Sequence, residues 1–423
     1  MNNITRSLLR LDCSLALLFP AARRLGGCFL ALLMLALAGY QAGAQLLPIN
    51  GINTFVKGAN LPWLDGQYDH DIGINPLHPS WGCAYNSAHM NQYLADMHNM
   101  GITVVRLWLN ENKQGLLLDG NGNVTGLDPT FLTNLDDIVQ LATQNGIFLY
   151  LTLNQGDADW VTNTTEQASY INNAVTPIAT RYKGNSHIFA YDVMNEIDGV
   201  VGGSLGNYGS GATWAQAQAY ITATVSAIHS ADPGRLATCS TGLHQWYNLY
   251  YFLGLGLDFY DYHDYEDAPS LPTASSLGMD KPIYIGECGQ VTTNWNDTIQ
   301  NTCELDALNS AWSGGYAGVG IWAYQYPGCP DYYSMVNTNA SWRPVCYTIQ
   351  GWNYAGTVWV DFSVAGPGAG TYDNPYNTLA LGIANVPVNG TVEIKGPSST
   401  PVATAISKPL ILNASGGPVT IGQ

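Results

Sequence analysis

Two glutamates follow apolar, strand-like runs. Phe189-Ala190-Tyr191-Asp192-Val193-Met194 leads into Asn195-Glu196, and Pro282-Ile283-Tyr284-Ile285-Gly286 leads into Glu287. Two facing carboxyl groups can cleave an acetal. One, protonated, releases the leaving oxygen; the other, ionised, meets the positive charge that develops on carbon. Either segment alone reads equally well as a solvated glutamate at a strand end. The pair gains meaning only if the fold brings both ends to one face.

The elements needed for that are present in the pattern. Eight short, mostly continuous apolar runs lie at 54–57, 103–109, 147–153, 188–194, 235–240, 257–262, 282–285 and 318–323. Continuous rather than alternating apolar runs mark strands buried on both faces of a parallel sheet. Helical patterns separate them. Asp128 and Pro129 form a helix start, Leu132, Leu135, Ile138, Val139 and Ala142 follow at helical spacing, and Gly146 lies past the end. Further helices are predicted at 87–99, 165–182, 213–230 and 297–312, while the aromatic stretch 242–256 shows poor periodicity. Eight β/α units over this length predict a (β/α)8 TIM barrel, in which the C-terminal strand ends build the active site. A doubly wound open sheet fits less well, because no GxGxxG follows the first strand. In the barrel reading, Glu196 ends the fourth strand and Glu287 the seventh.

The rest of the chain bounds the function. The 423 residues carry 14 Lys+Arg against 31 Asp+Glu, a net charge of −17, which argues against nucleic acid and against anionic membrane surfaces. Residues 1–44 read as a signal peptide: Arg6, Arg10, Arg23 and Arg24 flank an apolar run from Cys28 to Leu37, and Ala42-Gly43-Ala44 is a small-residue cleavage site. That run is too short for a membrane span, so the expectation is a secreted protein with no membrane attachment in its mature form. The mature part keeps Cys83, Cys239, Cys288, Cys303, Cys329 and Cys346, an even number consistent with disulfides, with Cys329–Cys346 the favoured pair. No zinc-type Cys/His spacing occurs, and Asp119-Gly120-Asn121-Gly122-Asn123 reads as a hairpin turn rather than a calcium loop. The composition changes near 352, so the expected division is a catalytic barrel at 45–352 and a small C-terminal β-rich module at 353–423, joined by a linker at 353–356.

The strand-end motifs together resemble those of clan A retaining glycoside hydrolases, and in particular the family 5 cellulases and β-mannanases, over about 53–325. Val104-Val105-Arg106-Leu107-Trp108 resembles the second-strand arginine segment, Asn195-Glu196 the acid/base motif, and Glu287 the nucleophile. His263-Asp264-Tyr265 is similar to the His-x-Tyr of the sixth strand, and Gly320-Ile321-Trp322 to the eighth-strand tryptophan. The resemblance implies Glu196 as general acid/base and Glu287 as nucleophile. It implies Asn195 on the sugar 2-hydroxyl, Arg106 and Tyr265 holding Glu287 ionised, His263 lining the subsite, and Trp322 as a stacking floor. It implies no cofactor and no metal, and a polysaccharide or oligosaccharide as substrate, β-1,4-glucan or mannan first. The usual third-strand histidine is missing from Leu151-Thr152-Leu153-Asn154-Gln155-Gly156, leaving Asn154 or Gln155 to fill its space. Trp63, Trp81, Trp160 and Trp246 fall in predicted loops that could line a cleft. The C-terminal segment resembles the opening turns of right-handed parallel β-helix proteins. Two other readings remain at this level: a non-catalytic carbohydrate-binding barrel, and a polysaccharide lyase centred on the C-terminal module.

Overall fold

The computed structural model describes residues 46–422 except 203–210, 243–245, 266–271, 290–295, 326–332, 338, 353–356, 371, 373 and 387–389. Residues 1–44, read above as a signal peptide, residues 353–356, read as a linker, and Cys329 therefore lie outside the described residues. Among the described residues no helix is long and apolar enough to cross a membrane.

Eight parallel strands form the core: β1 (Val56–Asn60), β2 (Val104–Trp108), β3 (Phe148–Thr152), β4 (Ile188–Asp192), β5 (Leu236–Thr238, continued at Ser240–Thr241), β6 (Tyr260–Asp264), β7 (Ile283–Cys288) and β8 (Gly318–Ile321). The first half of β5 pairs with β4 and the second half with β6, and β8 pairs with β1, so the sheet closes on itself. All eight expected strands are present. The first is displaced, because Ile52–Thr54 is taken by a hairpin with Leu47–Ile49 that packs under the strand starts.

Helices α1 (Ser87–Asn99), α2 (Pro129–Gln144), α3 (Trp214–Ala231) and α4 (Asp297–Gly314) cover the sheet. Each starts at a polar cap: Asn86, Asp128, Thr213 and Asn296 accept backbone N–H bonds of the first turn, groups that would otherwise lack partners. The predicted helix at 165–182 is interrupted, with a π turn at Ile171–Val175 between Thr164–Tyr170 and Thr176–Arg181. The poorly periodic 242–256 stretch holds a 3-10 helix, Trp246–Phe252. The Asp119–Asn123 turn does join two antiparallel strands, Leu116–Leu118 and Val124–Leu127.

Inside the barrel the packing is layered. The lower layer is aromatic, with Tyr150, Phe189, Phe259 and Tyr284 in contact. Above it sits a polar layer near the C-terminal strand ends. This order gives polar residues a low-dielectric floor, where their mutual interactions are strong and an unpaired charge is costly.

The C-terminal region adds parallel strands β9 (Thr357–Val360), β10 (Thr391–Lys395), β11 (Ser398–Thr400), β12 (Ile411–Ser415) and β13 (Val419–Ile421). β9, β10 and β12 form one parallel sheet, and β11 pairs with β13. Val358, Val360, Val392 and Ile394 bury against helix α5 (Leu379–Asn385). Trp359, on the opposite face, joins the barrel's own hydrophobic cluster. The expected Cys329–Cys346 pairing is not borne out, since Cys346 carries a free thiol donating to the Met335 carbonyl at 3.0 Å.

Candidate active site

Arg106 organises the polar layer. It is 2% exposed and points inward from β2. Its Nη1 donates to Glu287 Oε1 at 2.5 Å and to Asn60 Oδ1 at 3.3 Å. Its Nη2 donates to Asp192 Oδ2 at 2.7 Å and Asn195 Oδ1 at 2.9 Å, and the guanidinium lies 4.4 Å from the Trp108 ring centroid. Burial favours loss of the Arg106 proton, but the negative charges of Asp192 and Glu287 more than offset this and hold its pKa well above the ordinary value.

Glu287, near the end of β7, has both oxygens engaged. Arg106 takes Oε1, and the Tyr265 hydroxyl donates to Oε2 at 2.6 Å. Burial, reinforced by the Glu287 charge, pushes the Tyr265 phenol upward, so it stays a donor. Gly286 precedes Glu287 for a steric reason: a Cβ there would come within 2.0 Å of Asp261 Oδ1. Behind Glu287, the Cys288 thiol donates to Glu304 Oε2 of α4 at 3.5 Å. Burial raises the Glu304 carboxyl to about 8.

Glu196 follows β4 in a left-handed backbone conformation, φ 44° and ψ 55°. Its backbone N–H donates to Ser240 Oγ at 3.0 Å, and His263 Nδ1 lies 2.9 Å from its Oε1. Gly242, after β5, leaves the space its carboxyl occupies, since a Cβ would lie 2.6 Å from the carboxyl carbon. Asp198 holds this glycine in place, accepting from Gly242 N at 2.9 Å, Thr241 Oγ1 at 2.6 Å and Asn248 Nδ2 at 2.8 Å.

The two carboxylates therefore meet. One donor atom each from Glu196, His263 and Glu287 lies within 4.8 Å of the others. That spacing suits two carboxyls flanking one sugar carbon with direct attack, which needs about 5–5.5 Å, rather than the about 6.5–9.5 Å that admits a water between. The same trio is close enough to bind a cation. However, both Glu287 oxygens already accept hydrogen bonds and the neighbouring positive charge is Arg106 itself, so the donor set suits acid–base work better.

The structure brings all seven predicted residues to one end of the barrel. Trp322 forms edge contacts with Trp108 at 5.4 Å and Trp63 at 6.3 Å between ring centroids. Trp63 thus borders the cleft, its indole N–H donating to buried Glu111. Trp160 does not, being fully buried and stacked 3.6 Å on Tyr170. Trp81 is exposed and stacks on His78 at 4.0 Å. Asn154 fills no subsite: its amide closes a local turn by accepting from Gly156 N at 2.9 Å and Asp157 N at 2.7 Å. Asp192, Asp261, Ser240, Asn60 and Glu111 complete the network and had no role in the sequence reading. For Asp192 and Asp261 a signal existed, a charged residue inside an otherwise apolar strand.

Residues 65–325 match the family described as Cellulase (glycosyl hydrolase family 5). A mannan endo-1,4-beta-mannosidase of Mytilus edulis is 25% identical over 327 residues, covering 66% of this chain and 85% of the relative. One from Cryptopygus antarcticus is 27% identical over 364 residues, covering 72% and 92%. The crystal structure of beta-1,4-D-mannanase from Cryptopygus antarcticus superposes with a TM-score of 0.57 at 22% identity, over 74% of this chain and 94% of that one.

Proposed function

Because the chain belongs to glycosyl hydrolase family 5, the cellulase family, we propose that this glycoside hydrolase is an exported endo-β-1,4-mannanase using Glu196 as acid/base and Glu287 as nucleophile. The observation that carries the assignment is the meeting of the two carboxyls at one end of the barrel, with Glu287 held by the Arg106 guanidinium and the Tyr265 hydroxyl and Glu196 lying beside His263. Mannan is favoured over glucan by the activity named for the relatives in Mytilus edulis and Cryptopygus antarcticus.

In the first step Glu287 Oε attacks the anomeric carbon while the Glu196 carboxylic acid gives its proton to the departing glycosidic oxygen. The C–O bond to the leaving chain breaks and an ester to Glu287 forms, with no net change in charge. Forming the ester removes the negative charge at Glu287, so Glu196, left ionised by its proton transfer, takes a proton from an incoming water. The water oxygen attacks the anomeric carbon, Glu287 leaves as carboxylate, and the configuration is retained. Asn195, fixed by Arg106, presents its amide to the sugar 2-hydroxyl. Trp322 offers an aromatic face for the apolar side of the ring.

Residues 45–352 are read as the catalytic domain and 353–423 as an accessory module, whose parallel strands support the likeness to opening coils of a right-handed β-helix. Export rests on the pattern of residues 1–44. The test is a reducing-sugar assay on mannan, glucomannan and cellulose, with proton NMR of the first product. Release of β-anomer from mannan is the expected result. Activity on cellulose alone would redirect the substrate to glucan, and α-anomer as first product would refute double displacement.

A further inference from the structure

A second cavity lies where the C-terminal sheet meets the barrel. Along β9, β10 and β12 the valines and Ile394 face α5, so the alternate residues Thr357, Trp359, Thr391, Glu393, Asn413 and Ser415 share the other face. Trp359, Glu393 and Asn413 stand side by side in register. This face does not close completely on the barrel. A cavity of about 390 Å³ remains, walled on the opposite side by Trp312 of α4 and by Leu46 and Asn53 of the N-terminal segment. Its size falls within the range of about 300–1,000 Å³ usual for small-molecule sites.

The chemistry of the walls selects a ligand class. Glu393 is held still, accepting from Asn413 Nδ2 at 2.9 Å and from Ser415 Oγ at 2.5 Å. A carboxylate has about four acceptor positions, so Glu393 retains capacity for hydroxyl donors. Among the described residues no lysine or arginine lines the cavity; nearby Lys395 is turned over the Tyr372 ring, 3.9 Å from its centroid. A fixed carboxylate with no cation disfavours anions. The half-buried Trp312 indole beside amide, carboxylate and hydroxyl groups suits a polyol with one apolar face. The hairpin that supplies Asn53 packs under the strand starts, so the cavity lies at the end of the barrel away from Glu196 and Glu287.

We propose that this seam is a second, non-catalytic carbohydrate site that takes a neutral oligosaccharide and holds the enzyme on its polymer. The ligand class rests on the polysaccharide-hydrolase reading, so the test separates the two. The full mature chain carrying Glu287→Gln is titrated calorimetrically with mannohexaose, then cellohexaose. Two binding events are expected. Glu393→Gln and Asn413→Ala, each added separately, should weaken one event about tenfold, the loss of one hydrogen bond to a charged or fixed group. Asn413 is exposed, so its replacement leaves the fold intact. In the otherwise wild-type chain, both variants should hydrolyse soluble mannohexaose at the parental rate. An event weakened by both variants supports the site even if mannan is not hydrolysed, a result that removes only the catalytic reading. Binding that neither variant changes, whether one event or two, overturns the proposal.

Discussion

Glu304→Gln should make the protein more stable, and increasingly so as pH rises. Glu304 is 2% exposed on α4 and its carboxyl meets the Cys288 thiol. Burial raises its pKa from 4.5 to about 8. The folded value exceeds the unfolded one, so the group costs nothing below the unfolded pKa and becomes a penalty as pH climbs from 4.5 toward 8. Linkage puts that penalty at about 1 kcal/mol at pH 5 and about 5 kcal/mol at pH 9. Glutamine keeps the shape and an oxygen acceptor for Cys288 but has no charge to desolvate. Urea unfolding of both proteins at pH 5, 7 and 9 gives the difference directly. Asp71 and Asp261, whose carboxyls burial raises to about 6 and about 8, titrate in both proteins and cancel. The expected outcome is a gap that widens by about 4 kcal/mol between pH 5 and pH 9. A difference that stays flat across that interval would refute the assignment of Glu304 as an uncompensated buried acid.

Glu196→Gln and Glu287→Gln should each abolish polysaccharide hydrolysis, but aryl glycosides with acidic leaving groups should restore turnover to Glu196→Gln only; rescue of Glu287→Gln instead would reverse the roles, and equal rescue of both would refute the assignment. Tyr265→Phe removes the 2.6 Å bond to Glu287 and should lower kcat by about tenfold to a hundredfold, the equivalent of about 1.5–3 kcal/mol, with KM little changed in steady-state assays. Ending the chain after Trp352 should leave turnover on soluble oligosaccharides intact. It should also lower thermal stability, because the buried Trp359 is lost from the barrel cluster, a change worth about 3–5 kcal/mol; inactivity of the folded truncation would refute this.

The strands were legible because burial on both faces forces continuous apolar runs, and the two glutamates because each follows such a run. What the linear pattern concealed was convergence. Asp192, Asp261 and Ser240 belong to three strands far apart in sequence, and only barrel closure places Ser240 against Glu196 and Asp261 against Tyr150. Trp160 had no periodic context to mark it as core, yet its stacking on Tyr170 buries it completely. The split of β5 around Cys239 was also unreadable, since the run 235–240 shows no break in composition. The module's docking through Trp359 was hidden as well, because its strand neighbours Val358 and Val360 face the other way.

The left-handed backbone at Glu196 sets a conflict between durability and chemistry. An L-residue there is held about 1 kcal/mol or more above what glycine would experience. Glu196→Gly should therefore raise the melting temperature while eliminating the proton donor. It would also leave a void beside His263 where formate could enter and stand in for the lost carboxyl. A stability screen run without an activity readout would select this substitution, enriching for robust barrels that can no longer cut their substrate.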